Sequence, residues 1–182
     1  MLRICDVKQK HKSAGGSAKR GARSGKDRSA VQIRPALRRE LPAIAALLVK
    51  LFRIELDFVP DARRQLTGLR LLARMPERVL LLVAVLEGRV VGTCAVHDGV
   101  STAEGARVAV LEDLVVAEGF RRMGIGRALL AAAEAHAWRR GARRLQLLAD
   151  RTNRPALAFY ARQGWESTQL VVLRRRPGMV FS

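Results

Sequence analysis

The residues of this chain that could do chemistry gather around one strand, one glycine turn and one tyrosine. LEDLVV, Leu111 to Val116, sets two adjacent acids in an otherwise aliphatic run. A carboxylate among aliphatics is costly unless it is paired or used. Strict strand alternation puts Glu112 on one face with Val110 and Leu114, and Asp113 on the other with Leu111. FRRMGIGRALL follows, Phe120 to Leu130. Where a helix begins, several backbone amides lack internal partners and the helix dipole makes the spot positive. Gly124 and Gly126 carry no Cβ, so an anion can approach those amides closely. Arg121, Arg122 and Arg127 add charge-assisted donors, and the chemistry this suits is phosphate or pyrophosphate binding. Tyr160 is the only tyrosine. A phenol with an ordinary pKa near 10 can donate a proton to a thiolate, or the ring can simply pack.

Several phosphate-binding schemes do not fit. No G-x-x-x-x-G-K-[ST] run exists. A dinucleotide fingerprint counted from Gly124 needs a small residue where Leu129 stands, although Asp150 closes the next strand about where a ribose-binding acid would lie. Roughly 75 residues of helices and hairpin strands precede the turn, unlike a doubly wound fold. Cys5 and Cys94 form no CxxC pair, and His97 and His136 are too far apart to suggest a metal site, so no metal is expected. No Ser–His or Cys–His pairing is apparent, which suits chemistry without a covalent enzyme intermediate.

The elements that must position these residues read β-α-α-β-β-β-α-β-α-β-β. Ala30–Pro35 is a short strand, and Leu41–Phe52 is a helix with Pro42 in its first turn and Ile44, Leu47, Leu48 and Leu51 on one face. Glu55 and Asp57 sit in the connection to a second helix over Ala62–Met75. Val79–Leu86 and Arg89–His97 flank a Glu87-Gly88 hairpin turn, and Arg107–Val116 is a long strand. A helix from Gly126 to Arg140 ends at Gly141, and Arg144–Leu148 is a buried strand. The helix over Asn153–Gln163 ends at Gly164, after which Trp165 and the run Leu170–Arg174 supply the last strands.

Charge divides the chain. The formal net charge is +18, and residues 1–30 hold nine Lys/Arg against two Asp, or +7 in thirty residues. Five of the six lysines lie there. This stretch, rich in Ser and Gly and poor in aliphatics, cannot bury enough to offset its ordering entropy and reads as a disordered tail. Contact with nucleic acid is open only to that tail, and a functionless extension is equally compatible. Residues 31–182 form one domain, and their apolar runs are too short to span a bilayer. A reducing, cytoplasmic setting is expected from the cysteine usage.

R-x-x-G-x-G after a strand, then A-L-L, then N-x-x-A-x-x-F-Y-x-x-x-G-W about thirty residues on, resembles the GCN5-related N-acetyltransferase (GNAT) family. The pieces are Arg121, Gly124 and Gly126, then Asn153, Ala156, Phe159, Tyr160, Gly164 and Trp165, and the likeness runs over residues 31–174. It implies a mixed α+β fold: a mostly antiparallel sheet of six to seven strands, four helices, and a splayed parallel strand pair forming the cofactor cleft. It also implies acetyl transfer from acetyl-CoA to a primary amine of a small molecule or a protein. The backbone from Met123 through Ile125 to Ala128 would cradle the pyrophosphate. Leu114, Val115 and Val116 would pair with the pantetheine arm, and Asn153 would bind it. Tyr160 would protonate the departing thiolate, Glu112 would act as base, and Glu55 and Asp57 would border the acceptor pocket. A homodimer is left open. The competing reading is a non-catalytic acyl-CoA or nucleotide-binding module.

Overall fold

Gln32–Pro35 forms β1, and a 3-10 turn at Arg38–Glu40 leads into α1, Leu41–Phe52. The helix α2 spans Ala62–Leu72, followed by β2 (Val79–Leu86), β3 (Arg89–Ser101) and β4 (Ala106–Val116). After a 3-10 turn come α3 (Ile125–Arg139), β5 (Ala142–Leu147) and α4 (Arg154–Arg162). These assignments come from a computed structural model that describes residues 30–55, 57–175 and 177. The basic stretch before Ala30 lies outside the described residues.

The strands pair in the order β1-β2-β3-β4-β5, antiparallel except for the parallel pair β4 and β5. The sheet has a helical layer on each face. Ile44, Leu47 and Leu48 of α1 and Leu69 of α2 bury against Val83, Val85 and Val115 on one face. Leu129, Leu130, Ala133 and Ala137 of α3 bury against Val91, Val96, Ala109 and Leu111 on the other. Gly92 permits this close packing: a Cβ there would lie 3.1 Å from both Leu129 Cδ1 and the Val115 carbonyl. The Asp61 carboxylate caps α2 by accepting from the amides of Arg63 and Arg64, while the Asp61 amide donates to Gln65 Oε1 at 2.8 Å. That reciprocal pair fixes where α2 starts, and with it one wall of the cavity described below.

Two relationships differ from the sequence-based expectation. First, β4 does not alternate regularly. Between the pair Thr93/Val115 and the pair Ala95/Glu112, β4 carries one residue more than β3, and Asp113 stands at φ 59°. This bulge reverses the parity of the strand. Ala109 and Leu111 face α3 before it, and Leu114 and Val116 face α3 after it. Glu112 therefore does not share a face with Leu114.

Second, the sheet has five strands among the described residues rather than six to seven. Trp165 is tied to α3, its Nε1 donating to Glu134 Oε1 at 2.9 Å. Residues 170–174 make no ladder. Leu170, Val171, Val172 and Leu173 are exposed, and Arg174 is held at the connection between α1 and α2 instead. Strand propensity alone does not pair a segment whose end is anchored elsewhere.

Candidate active site

Pairing of β4 with β5 runs from Arg107/Ala142 to Leu111/Leu147 and then stops. β4 continues to Val116 against β3 alone, with Thr93 opposite Val115 and Gly92 opposite Val116. The two parallel strands thus part at their C-terminal ends. The backbone of Leu114, Val115 and Val116 on the β5 side lies beyond the ladder, where an extended ligand arm can pair with it.

β4 then leads into the turn before α3. Arg122 (φ 63°) and Gly124 (φ 78°) both adopt left-handed backbone, bending the chain sharply ahead of the helix. Nothing lies within 4 Å of the place a Gly124 Cβ would occupy, so the turn is open to a ligand. Ile125 is the buried anchor of the first turn. Arg121, Arg122, Met123 and Arg127 are exposed around it, and Arg121 Nε reaches back to the Val116 carbonyl at 3.4 Å. The first turn of α3 has no acidic residue. The amide of Ala128 already donates to the Gly124 carbonyl at 3.0 Å, so the amides left for an anion are those before it. A Cβ on Gly126 would make only ordinary contacts, 3.6 Å from Phe159 Cζ and 3.7 Å from Val116 Cγ2. An unpaired strand edge running into a positive helix N-terminus fits an elongated cosubstrate with a phosphate-bearing end.

A cavity of about 560 Å³ opens where the strands part, walled by α1, α2, β4, the end of β5 and α4. Glu55, Glu112, Asp113 and Tyr160 line it, together with Phe52, Phe58, Arg64 and His97. In a chain of net charge +18 this is an acidic cavity. The bulge residue Asp113 contributes a carboxyl pushed up to about 7, by burial first and then by the charges of Glu112 and Glu55. Burial, with help from Asp150 and Asp57, also raises Glu55. The Glu112 side chain is half exposed, its Oε2 3.4 Å from His97 Nε2. Tyr160 packs its ring on Phe159 and Trp165, at centroid distances of 5.2 and 6.0 Å, and burial pushes its phenol up to about 12.

The structure therefore brings Glu55, Glu112 and Tyr160 to one cavity and leaves Asp57 exposed outside its lining. Asn153 is the N-cap of α4, its Oδ1 accepting from the Ala156 amide at 3.2 Å. The pairing that strand alternation missed is Glu112 with Leu114, which the bulge puts on different faces, whereas Asp113 and Leu111 line the cavity together. The adjacent acids were visible, but a bulge has no reliable sequence signal when its left-handed residue is not glycine. Among the described residues no group of His, Cys, Asp and Glu is arranged to hold a metal ion, and no helix is long and apolar enough to cross a membrane.

A family model described as "Acetyltransferase (GNAT) family" matches residues 43–165, and the chain belongs to that family of acyltransferases. It is 34% identical over 148 residues to an aminoglycoside N(6')-acetyltransferase type 1 from Stenotrophomonas maltophilia, covering 79% of this chain and 94% of that relative. Among solved structures it resembles a possible acetyltransferase from Clostridium difficile 630 (TM-score 0.71, 17% identity, 80% of this chain and 97% of that one). It also resembles a ribosomal-protein-alanine N-acetyltransferase from Brucella melitensis biovar Abortus 2308 (TM-score 0.65, 23% identity, 82% and 100%). These structural likenesses concern the fold alone. Enzymes of this family use acetyl-CoA as cosubstrate, and none of these matches selects an acceptor.

Proposed function

We propose that the protein transfers an acetyl group from acetyl-CoA directly to a primary amine on a small acceptor carrying more than one positive charge. The observation that carries this reading is the acidic cavity opening where β4 and β5 separate, next to a positive helix N-terminus. Arg121, Arg122, Arg127 and the amides from Met123 to Arg127 would hold the pyrophosphate. The backbone of Leu114 to Val116 would pair with the pantetheine arm, and Asn153 would border that arm from the start of α4. Bound there, acetyl-CoA supplies a thioester carbonyl to the acceptor nitrogen and departs as its thiol.

An ammonium group must lose a proton before it can attack. Asp113, a cavity-lining residue whose carboxyl is pushed up to about 7, would accept it near neutral pH. Glu112, whose side chain is half exposed, offers a side from which that proton reaches solvent. Tyr160 at about 12 remains a phenol throughout this range. A thiolate of ordinary pKa near 8.5 is a weaker base than that phenolate. Tyr160 therefore serves as a hydrogen-bond donor that stabilises the departing sulfur, and the amine's second proton finally neutralises it. Cys94 takes no part as an acyl carrier: it is fully buried and its thiol is pushed up to about 12.

Glu55 supplies a charge for a second ammonium group. The S. maltophilia relative is named for an aminoglycoside, a sugar bearing amino groups, which agrees with a multiply charged acceptor. The test is thiol release from acetyl-CoA across a panel of monoamines, polyamines, amino sugars and N-terminal peptides. Turnover favouring polyamines and amino sugars is expected. Release with peptides alone would overturn the small-acceptor reading, and release with none would overturn the transfer itself.

A further inference from the structure

Near the C-terminal end of the described chain, Arg174 reaches back to the connection between α1 and α2, beside the cavity. Arg174 Nη1 donates to the Asp57 carbonyl at 2.9 Å and lies 3.9 Å from Asp57 Oδ1. Its guanidinium carbon is 4.9 Å from the centroid of the Phe58 ring. Phe58 in turn packs on Phe52 of α1, centroids 5.1 Å apart, and both rings line the cavity. A stack of guanidinium, ring and ring thus joins residues 117 apart in sequence to the last turn of α1.

Between Gly164 and Arg174 the chain forms neither strand nor helix. Its near end is fixed by the bond from Trp165 to Glu134, and its far end by Arg174. Leu170 to Leu173 stand 61–90% exposed between them. A segment anchored at both ends with no ladder between is a strap. The connection it reaches presents Glu55 and Phe58 to the cavity.

We propose that residues 166–174 act as a strap, fastened by Arg174, which positions Phe58 and thereby sets affinity for the acceptor. The proposal rests on reading the cavity as the acceptor site. Arg174 does not line the cavity, so it acts through Phe58 as a positioning residue. An unfastened connection would have to be ordered each time an acceptor binds, at the cost of backbone and side-chain freedom. Arginine suits the task because its planar group stacks on a ring face while donating in its own plane. Lysine can supply the charge and a donor but not the planar stack.

The full-length chain tests this with Arg174→Ala and Arg174→Lys. Losing one charged hydrogen bond and one exposed cation–π contact corresponds to about a tenfold change in the fastening equilibrium. Amide exchange in peptides covering Glu55 to Asp61 is expected to quicken by up to about tenfold in Arg174→Ala, less in Arg174→Lys, with the β3–β4 ladder unchanged. The acceptor KM is expected to rise about tenfold while kcat and the acetyl-CoA KM stay put. Unchanged exchange around Phe58 in Arg174→Ala overturns the strap. So does a change in which both KM values, kcat and Tm move together, because that marks a general structural role. If the wild-type chain acetylates no amine, the transfer reading fails, and the exchange measurement alone still decides whether Arg174 fastens the connection.

Discussion

Leu111 and Leu147 form the last pair of the parallel ladder, and two residues beyond Leu111 the chain turns through the left-handed bulge at Asp113. The end of pairing and the bulge adjoin. The first opens the cleft, and the second stands beside it, with Asp113 among the residues that line it. A left-handed aspartate costs on the order of 1–3 kcal/mol. Such strain persists where surrounding structure over-determines it, here the β3 ladder on one side and the α3 core on the other.

The first expected outcome concerns Asp113 and rate. Its carboxyl must be ionised to accept a proton, so kcat/KM for the amine should fall as pH drops through about 7. Asp113→Asn should lose about 10²–10⁴-fold in kcat. The pH–rate profile of both proteins checks this, and a fully active Asn variant would return the base role to Glu112 or to water.

Asp113 also links stability to pH. Its folded pKa is raised, so between the usual carboxylate range and about 7 the native state holds a proton that the unfolded chain does not. Stability from this group is therefore present at low pH and is lost as pH rises through that window. Asp113→Asn should match wild type near pH 4 and exceed it above pH 7, by ~1–2 kcal/mol once solvent in the open cavity is allowed for. Denaturant unfolding at the two pH values measures the difference.

Arg127 separates binding from folding by sign. It is exposed in the first turn of α3, where a carboxylate is favoured by the helix dipole. Arg127→Glu should stabilise the fold slightly, by about 0.3–1 kcal/mol. The same change should weaken acetyl-CoA binding by about tenfold or more, since a charge-assisted donor becomes a repulsive charge. Calorimetric titration alongside thermal melting tests both signs.

Tyr160→Phe keeps the ring contacts with Phe159 and Trp165 and removes only the donor. A fall of about 10²-fold in kcat with acetyl-CoA affinity unchanged is expected. A silent substitution would make Tyr160 a packing residue.

Glu55→Gln should raise the KM of a multiply charged acceptor about tenfold, the worth of one charged hydrogen bond. A monoamine should scarcely notice the change. Equal effects on both acceptors would remove Glu55 from acceptor recognition.

Periodicity and punctuation, which act within a few residues, made much of this molecule legible in its sequence. Leu41–Phe52 and Val79–Leu86 have the bounds that their apolar pattern indicates, and α3 and α4 end at Gly141 and Gly164, both left-handed. The motif from Arg121 to Gly126 announced the family through the joint spacing of its residues with Asn153, Tyr160 and Trp165. What the tertiary structure alone decided depends on partners distant in sequence. The bulge shows only in the register of β4 against β3, so the separation of Glu112 from Leu114 is set by a partner strand distant in sequence. Leu170–Arg174 has the composition of a strand, yet it joins no ladder, and Arg174 is bonded to Asp57 and stacked on Phe58. Strand propensity reflects the fit of side chains to cross-strand neighbours, so pairing is decided by partners that the local sequence does not contain.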